Sequence, residues 1–341
     1  MTEKIIQGIA AADGIAIGEA FIYRPPELTI PDRSANSPDE EMARFITASQ
    51  QAAQEILQLK DRMAERAGAE NAAIFEAHAL MLEDPALQGA VQARIESGEI
   101  AERAAAAASE ELAAMLSGMD NELFAARAAD VLDVGRRILR ILLGIPDTSL
   151  EALARPAIVV ADDLSPSDTA RLKPEFTLGF CTAAGGLTSH TSILARSLGI
   201  PAVVGIGAAS LAGIQPSDLL ALDGSTGAVV VRPSPITIDQ YQTVRADKER
   251  LLRDAQAQAG GDTYTADHRR AEVCANIGDV ETALQAVQNG AEGVGLPRTE
   301  FFYLQDTHPP NEERQIEAYR AIFEAMAGRP VIVRTLDIGG D

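Results

Sequence analysis

The spacing of hydrophobic residues changes along the chain, and each spacing predicts a different class of element. Residues 5–23 read IIQGIAAADGIAIGEAFIY, an apolar run broken by glycines, which is typical of short strands joined by turns. From Ser37 to Gly144 the apolar residues recur at helical spacing instead. After Gly144, short apolar runs alternate with helical stretches, which indicates an α/β arrangement.

The helical block has recognisable starts and stops. Ser37 is predicted to be an N-cap, with Pro38 at the first helical position and Glu40 as the capping-box partner. Gly68 and Gly144 are predicted to end the first and the last of the long helices. We therefore expect a bundle of antiparallel helices over this block.

Apolar runs downstream of the helical block predict strands, and the last of them follows a Gly-Ser-Thr-Gly turn as the second arm of a hairpin. The runs are residues 157–161, 177–180, 202–204, 219–223 and 228–232. The strands near the N-terminus have no sheet of their own. Because strand edges need partners, we expect those strands to join this sheet, which makes the helical block an insertion.

The last part of the chain has a third texture. Residues 236–258 form a charged helical stretch without glycine, which predicts a linker. Strand-like runs then alternate with helical segments: strands at 272–277, 293–296 and 331–338, helices near 279–290 and 311–327. Repeated βα units fit the start of a (β/α) barrel, but three units cannot close a barrel of eight strands.

These patterns predict a multidomain α/β protein. Residues 1–30 and 145–233 are expected to form one α/β domain, with residues 31–144 as its helical insertion. Residues 234–261 are expected to be a linker helix, and residues 262–341 the first units of an incomplete barrel.

Composition narrows the classes of function. Hydrophobic residues make up 46% and charged residues 23% of the 341 positions, as in soluble globular proteins. Fifty acidic against 29 basic residues give a net charge of −21, which disfavours nucleic acid, since lysine and arginine supply most of that affinity. Cys181 and Cys274 stand far apart without a CxxC neighbour, which fits a reducing cytoplasm. We find no signal peptide and no run that would span a membrane.

The segment AAGGLTSHTSILARSLGIPAVVG places a histidine where a glycine turn meets a predicted helix start. Such a start offers unpaired backbone N–H groups and the positive end of the helix dipole. Gly185 and Gly186 would let the backbone approach an anion. The hydroxyls of Thr188 and Ser189 would cap the helix or donate to a phosphate. The field at a helix start also favours a neutral, nucleophilic imidazole at His190.

Two interpretations of His190 stay open on these residues alone. The imidazole could accept a phosphoryl group held by the surrounding donors, or it could be a hydrogen-bonded and inert residue of a capped helix. The segment is neither a phosphate-binding P-loop, since GxxxxGK[ST] is absent, nor a serine nucleophile elbow, since GxSxG is absent.

The segment from Gly185 onward resembles the phosphohistidine signature of the phosphoenolpyruvate-protein phosphotransferases, the Enzyme I family of the bacterial phosphoenolpyruvate:sugar phosphotransferase system. Pyruvate phosphate dikinase and phosphoenolpyruvate synthase share only the shorter core of glycines followed by Ser-His. Further stretches resemble Enzyme I in the family's order: GIAAADGIAIGEAF, AIFEAHALMLEDPAL, RAADVLDVGRRIL, DDLSPSDTA, EVCANIG, NGAEGVGLPRTEFFY and VIVRTLDIGGD. The likeness covers essentially the whole chain.

The resemblance implies transfer of a phosphoryl group from phosphoenolpyruvate to a histidine and on to the phosphocarrier HPr, the first step of sugar uptake. It implies that His190 is the phosphorylated residue and that Thr169 is its hydroxyl partner. It also implies that Arg298 and Arg334 clamp the substrate phosphate, which suits guanidinium groups because they bind phosphate bidentately.

The resemblance further implies that the helical insertion docks HPr. Glu76, Glu83 and Asp84 fall in the matching helix region. An acidic chain suits a carrier that presents a basic face.

Three positions depart from the family's pattern. Ala183 stands where an acidic residue is more frequent, and Leu187 stands where arginine is common, which removes a positive charge beside His190. Pro297 precedes Arg298 and restricts the residue before it. The family's Mg²⁺ ligands and its general-acid cysteine belong to later barrel segments. We therefore expect an N-terminal fragment that binds no metal and performs only the HPr half-reaction, and we expect a full-length relative to dimerise through the barrel.

Alternative functions remain at this point. The chain could be a non-catalytic, HPr-binding regulatory scaffold, or a fragment of the nitrogen-regulatory paralogue of Enzyme I. A dikinase or synthase fragment is a further alternative, although no ATP-grasp domain is visible. The intact Thr188-Ser189-His190 run, together with Arg298 and Arg334, favours the phosphotransferase.

Overall fold

One curled sheet organises the first part of the chain. In the computed structural model, which describes residues 3–119, 122–146, 150, 153–187, 189–297 and 310–335, the chain divides into unit 1, residues 1–245, and unit 2, residues 246–341. Unit 1 carries the sheet and the helical insertion. Unit 2 carries a smaller set of βα elements.

The strands of unit 1 pair in the order β1-β8-β7-β3-β4-β5-β6-β2. Their bounds are β1 Lys4–Gln7, β2 Ile9–Ala12, β3 Ile15–Ile22, β4 Ala157–Ala161, β5 Thr177–Thr182, β6 Ala202–Val204, β7 Leu219–Asp223 and β8 Ala228–Val231. β3, β4, β5 and β6 pair in parallel, whereas the other neighbours are antiparallel. Every residue of β4 is buried, as expected of a strand covered on both faces. The predicted hairpin of β7 and β8 is confirmed.

The N-terminal strands join this sheet, as the sequence predicts. β1 and β2 pair at opposite ends of the strand order, although only Gly8 separates them along the chain. The sheet must therefore curl until its two edges meet at Gly8. A Cβ atom at Gly8 would lie 2.7 Å from the Val203 side chain and 2.7 Å from the Val204 carbonyl oxygen, so this closure requires glycine.

Helices α1 to α5 lie in the chain between β3 and β4, which confirms the predicted insertion. They are α1 Pro38–Ala67, α2 Ala69–Leu82, α3 Pro85–Glu96, α4 Ala101–Ser117 and α5 Glu122–Leu142. Ser37 caps α1 by accepting a hydrogen bond from the Glu40 backbone N–H, 3.3 Å away. The predicted capping box is wrong, because it is the Glu41 carboxylate, and not that of Glu40, that turns back and accepts from the Asn36 N–H.

Four helices follow the insertion along the chain, and the insertion shares a core with the first two of them. They are α6 Pro166–Arg171, α7 His190–Leu198, α8 Ala208–Leu211 and α9 Pro235–Gln258. Ala170 of α6 and Leu194 of α7 are buried in the same apolar cluster as Phe45 and Ile56 of α1. The bundle therefore packs directly on α6 and α7. No helix of the described residues has the length and apolar content needed to cross a membrane.

A buried ionic cluster ties the connector between β3 and α1 to the bundle. Arg33 of the connector binds Glu102 at 2.8 Å, and Arg44 binds Glu41 at 2.7 Å. The Glu41 carboxylate also accepts from the backbone N–H of Ala101. The hydrogen bonds from Arg33 hold the pKa of Glu41 well below its usual range, although burial opposes this. The cluster therefore keeps its carboxylates ionised inside the protein.

Unit 2 contains a parallel βαβ arrangement. β11 Cys274–Ile277 pairs in parallel with β12 Gly293–Pro297, and α10 Val280–Gln288 connects them. A short antiparallel ladder, β9 Thr263–Tyr264 with β10 Arg270–Ala271, precedes them, and α11 Glu312–Ala325 follows them.

The sequence predicts a strand over residues 331–338, and this prediction is wrong for residues 332–335. Val331 forms a single parallel bridge to Val294, and Ile332 donates its N–H to the Val294 carbonyl. Residues 332–335 then leave the ladder, and Ile332 is 65% exposed. Residues 336–338 lie outside the described part of the chain.

We expect Glu41→Gln to lower the free energy of unfolding by on the order of 3 kcal/mol at neutral pH, because it removes one partner of a buried ion pair. The folded-state pKa of Glu41 lies below the unfolded value of about 4.3. Its stabilisation is therefore complete above that value and is lost as the pH falls toward the folded-state pKa. In urea denaturation, the free energies of unfolding of the unchanged protein and of Glu41→Gln should therefore draw closer as the pH falls from 7 to 3.

The matched control is Glu40→Gln, which removes an exposed carboxylate from the neighbouring position. Its effect should stay within about 0.5 kcal/mol. Equal stability of the two variants at pH 7 would contradict a stabilising role for the cluster.

Candidate functional site

Two loops meet at the carboxyl ends of neighbouring parallel strands. β4 and β5 pair in parallel up to Ala161 and Thr182. The loop after β4 leads into α6, and the loop after β5 leads into α7, whose first residue is His190. Ligands of open α/β sheets bind outside the carboxyl ends of their strands. His190 therefore begins a helix beside the carboxyl ends of the parallel strands, where a ligand is expected.

The turn before α7 is built by glycine and by a serine cap. Gly185 has a φ of +100°, which other residues rarely adopt. The Ser189 hydroxyl accepts from the Ser192 N–H at 3.3 Å and donates to the Gly186 carbonyl at 2.8 Å. Ser189 thus acts as the N-cap, the first of the two roles that the sequence offered for it. Thr188 lies outside the described residues.

An arginine of α7 holds this turn against the sheet. Arg196 donates to the carbonyl of Ala11 at 3.0 Å and to the carbonyl of Leu187 at 3.1 Å. The backbone at Leu187 is therefore tied to β2, while the Leu187 side chain is exposed.

His190 opens into a cleft of about 590 Å³ within unit 1. The walls come from α5, from the connector after β3, from the start of α6 with the loop before it, and from the turn before α7. Gly185, Gly186 and Ser189 line the cleft together with His190. The imidazole of His190 is half-buried and makes no hydrogen bond or ion pair with another described residue. Within the described part of the chain, no residue therefore occupies its ring nitrogens.

Charges of both signs line the cleft in equal number. The basic residues are Arg136, Arg137, Arg140 and Arg171, and the acidic residues are Asp130, Asp133, Asp163 and Asp168. Arg137 forms an ion pair with the Glu55 carboxylate at 2.8 Å, and Arg140 forms another with the same carboxylate. The cleft can therefore hold an anion beside guanidinium groups.

Two aspartates of the loop into α6 are partly withdrawn from water. Burial raises the pKa of Asp163. Burial also raises the pKa of Asp168, although a hydrogen bond from the Tyr23 hydroxyl, 2.6 Å away, opposes the shift. Asp168 also completes a capping box with Ser165 at the start of α6. Both aspartates therefore hold their negative charge less readily than exposed carboxylates do.

Thr169 does not reach this cleft. Its side chain is fully buried, and its hydroxyl donates to the Ser165 carbonyl at 3.0 Å, one turn back along α6. Thr169 is absent from the cleft lining. The predicted contact of this hydroxyl with the His190 imidazole is thus not formed in the structure, because the hydroxyl donates its hydrogen bond to the helix backbone.

The predicted partner-binding acids lie at the surface of the bundle. Glu76 of α2 is exposed and pairs with Lys60 at 3.0 Å. Glu83 is the C-cap of α2, and Asp84 is the N-cap of α3, where it accepts from the Ala86 N–H at 2.7 Å. All three carboxylates face solvent, so they are accessible to a partner.

The predicted substrate arginines are described only in part. Arg334 lies in unit 2, exposed and just after the Val331 bridge. Arg298 lies outside the described residues. No three His, Cys, Asp or Glu side chains among the described residues come together to hold a metal ion.

Sequence reasoning missed several residues of the cleft. Asp163 could have been found, because it lies two residues after the end of the buried strand β4. Tyr23 follows the last residue of β3 and meets Asp168 across 145 residues of chain. Arg137 lies in the C-terminal third of α5 and meets Ser167 across 30 residues. No local signal marks such pairs.

Comparisons with known proteins agree with this arrangement. Three family models match: PEP-utilising enzyme, N-terminal, over residues 7–127; its mobile domain over 153–227; and its PEP-binding domain over 253–341. The phosphoenolpyruvate-protein phosphotransferase of Staphylococcus carnosus is 40% identical over 339 residues, and that of Geobacillus stearothermophilus is 41% identical over 340 residues. The chain spans 59% of the length of each, and 99% of this chain is covered.

A solved structure is similar as well. An NMR solution structure of Enzyme I (nEIt) is 39% identical with a TM-score of 0.59, and the match covers 99% of that chain and 72% of this one.

The two glycines of the turn provide a matched test of its geometry. Gly185→Ala should lower the free energy of unfolding by about 1–2 kcal/mol, because the backbone there is left-handed. Gly186→Ala should change it by less than about 0.5 kcal/mol, because no atom lies within 4 Å of the added Cβ. Urea denaturation of both variants checks this, and a larger loss for Gly186→Ala would contradict it.

Proposed function

Because this chain belongs to the phosphoenolpyruvate-protein phosphotransferase (Enzyme I) family of PEP-utilising enzymes, we propose that it carries a phosphoryl group on His190. The group comes from phosphoenolpyruvate and passes to the phosphocarrier HPr, in the cytoplasm, as the first step of sugar uptake. The observation that carries the proposal is the His190 imidazole, which lies in a 590 Å³ cleft without a hydrogen-bond partner among the described residues.

The exchange with HPr is a reversible transfer between two imidazoles. A ring nitrogen of His190 attacks the phosphorus of phospho-HPr with its lone pair and forms an N–P bond. The N–P bond of the carrier breaks, and its electron pair stays on the carrier's imidazole. No atom is left over, so neither an oxidant nor a further reactant is needed.

The start of α7 and the cleft stabilise the phosphoryl group. His190 is the first residue of a nine-residue helix, where the dipole and the free N–H groups favour an anion. The arginines of the cleft add positive charge. For the reaction with phosphoenolpyruvate, Arg298 and Arg334 are the proposed phosphate clamp. Mg²⁺ is the proposed metal, but no described cluster fits it, so none of these steps involves it.

We further propose that the α2–α3 junction docks HPr, with Glu76, Glu83 and Asp84 as its acidic contacts. Their exposure and the net charge of −21 support a partner with a basic surface. Homodimerisation of the full-length enzyme through its barrel remains a proposal from the family resemblance.

Incubation with phospho-HPr should add one phosphoryl group to the protein, and intact mass spectrometry at alkaline pH should detect it. The label should be alkali-stable and acid-labile, as expected for phosphohistidine. His190→Ala should remove the label, whereas His268→Gln, a change in unit 2, should retain it. A label on His190→Ala, or one that survives acid, would exclude His190 as the acceptor. An unlabelled wild-type protein would favour the non-catalytic scaffold.

Removing the acidic charge at the α2–α3 junction should weaken HPr binding. The variant Glu83→Lys with Asp84→Asn keeps a capping side chain on α3, because asparagine also accepts the Ala86 N–H. We expect a loss of on-rate of about tenfold at low salt that diminishes as salt is added.

Glu281→Lys in unit 2 is the control, because it is an exposed charge reversal outside the junction. Its HPr affinity should match that of the unchanged protein. Calorimetry at low salt that finds the junction variant equally tight would reject the docking surface.

A further inference from the structure

His78 is an imidazole buried within the apolar interior of the helical bundle. It lies on α2 with none of its surface exposed, and the Phe75 ring meets it edge-on at 5.9 Å between centroids. Burying a polar ring costs free energy unless both nitrogens find partners. The role of His78 must therefore be sought in what its nitrogens face.

Both nitrogens of His78 face carboxylates of α5. Nε2 lies 3.2 Å from Asp130 Oδ1, and Nδ1 lies 3.7 Å from Asp133 Oδ2. Neither contact has hydrogen-bond geometry, so three buried polar atoms, the two ring nitrogens and Asp130 Oδ1, have no hydrogen-bond partner. Arg127 is 4.0 Å from the other oxygen of Asp130. An apolar side chain at this position would remove the two unsatisfied ring nitrogens but would still leave Asp130 Oδ1 buried without a hydrogen-bond partner.

A chain of polar contacts leads from His78 to the start of α6. Asp133 Oδ2, the oxygen that faces His78, accepts a hydrogen bond from the Ser167 hydroxyl at 2.6 Å. Ser167 Oγ in turn accepts from Arg137 Nη2 at 2.8 Å. Arg137 also binds Glu55 of α1 at 2.8 Å. The chain therefore joins α2, α5, α6 and α1 in one buried connection.

This connection borders the His190 cleft along one wall. Asp130, Asp133, Arg137 and Ser167 all line that cleft. Ser167 is the second residue of α6, which is only six residues long. The Ser167–Asp133 hydrogen bond is therefore one of the contacts that orient this short helix, together with the Tyr23–Asp168 hydrogen bond and the packing of Ala170.

We infer that His78 is a positioning residue for phosphoryl exchange at His190. The imidazole positions the Asp133 carboxylate, and the hydrogen bond from Ser167 to that carboxylate positions α6. The position of α6 in turn sets the width of the cleft. The same helix α2 carries Glu76 on its outer face, two residues away. A shift of α2 when a partner docks therefore reaches the cleft through His78. The inference rests on the proposed function for its kinetic consequence but not for its structural one.

His78→Gln keeps a polar side chain at this position and tests the inference kinetically. Exchange of phosphate with phospho-HPr should lose about tenfold in kcat, since small displacements of a reacting geometry are costly. The KM for HPr should stay within twofold, because the docking surface is unchanged. Ser167→Ala should produce a similar loss, and the double variant should lose about tenfold rather than a hundredfold.

A merely structural role would give a different result. Val91→Ala, in the buried core of α3 and outside the polar chain, serves as a control that lowers the melting temperature. It should leave kcat within twofold. Additive losses in the double variant, or a rate for His78→Gln equal to that of the unchanged protein, would overturn the inference.

An NMR measurement separates this inference from the proposed function. In His78→Gln without phosphate, the amide resonances of Ser167 and Asp168 and the ring resonances of His190 should shift. Shifts confined to α2 and α5 would overturn the inference even if phosphoryl transfer proceeds. If the unchanged protein takes no phosphate, the proposed function fails, and the NMR result alone decides the positioning role.

Discussion

The parallel pairing of β4 with β5 is the constraint on which the rest of the site depends. Neighbouring parallel strands have their carboxyl ends on the same side of a sheet, so the loops after Ala161 and Thr182 emerge next to each other. One loop carries Asp163 into α6, and the other carries the glycine turn into α7. His190 stands at the start of its helix because Ser189 ends the turn there. Every other wall of the cleft is placed relative to these two loops.

The helical insertion forms part of the site and is not an independent appendage. α1 packs on α6 and α7 through a common apolar core, and α5 supplies one wall of the cleft. Apolar packing alone would fix the distance between these helices but not the angle of a helix as short as α6. Directional hydrogen bonds from Ser167 to Asp133, and from Tyr23 to Asp168, supply that orientation.

Charge is distributed very unevenly between the surface and the site. The chain carries a net charge of −21, yet the cleft has as many arginines as aspartates. Burial raises the pKa of Asp163 and of Asp168. An acidic exterior and a balanced cleft therefore coexist in one unit, in which Arg137 and Arg140 of the cleft are paired with Glu55.

The sequence by itself determined the elements and the turn chemistry, since these depend on neighbouring residues. Gly185 at its positive φ, Ser189 and Ser37 as N-caps, and the β7–β8 hairpin all follow from a few adjacent side chains. Tertiary structure decided which distant groups meet. In the folded protein, the Thr169 hydroxyl donates to the backbone of α6. At the start of α1, it is the Glu41 carboxylate that accepts from the Asn36 N–H. Tertiary structure also brought His78 to Asp133, and Asp133 to Ser167. Such contacts depend on how helices pack across tens of residues, and no local spacing encodes that packing.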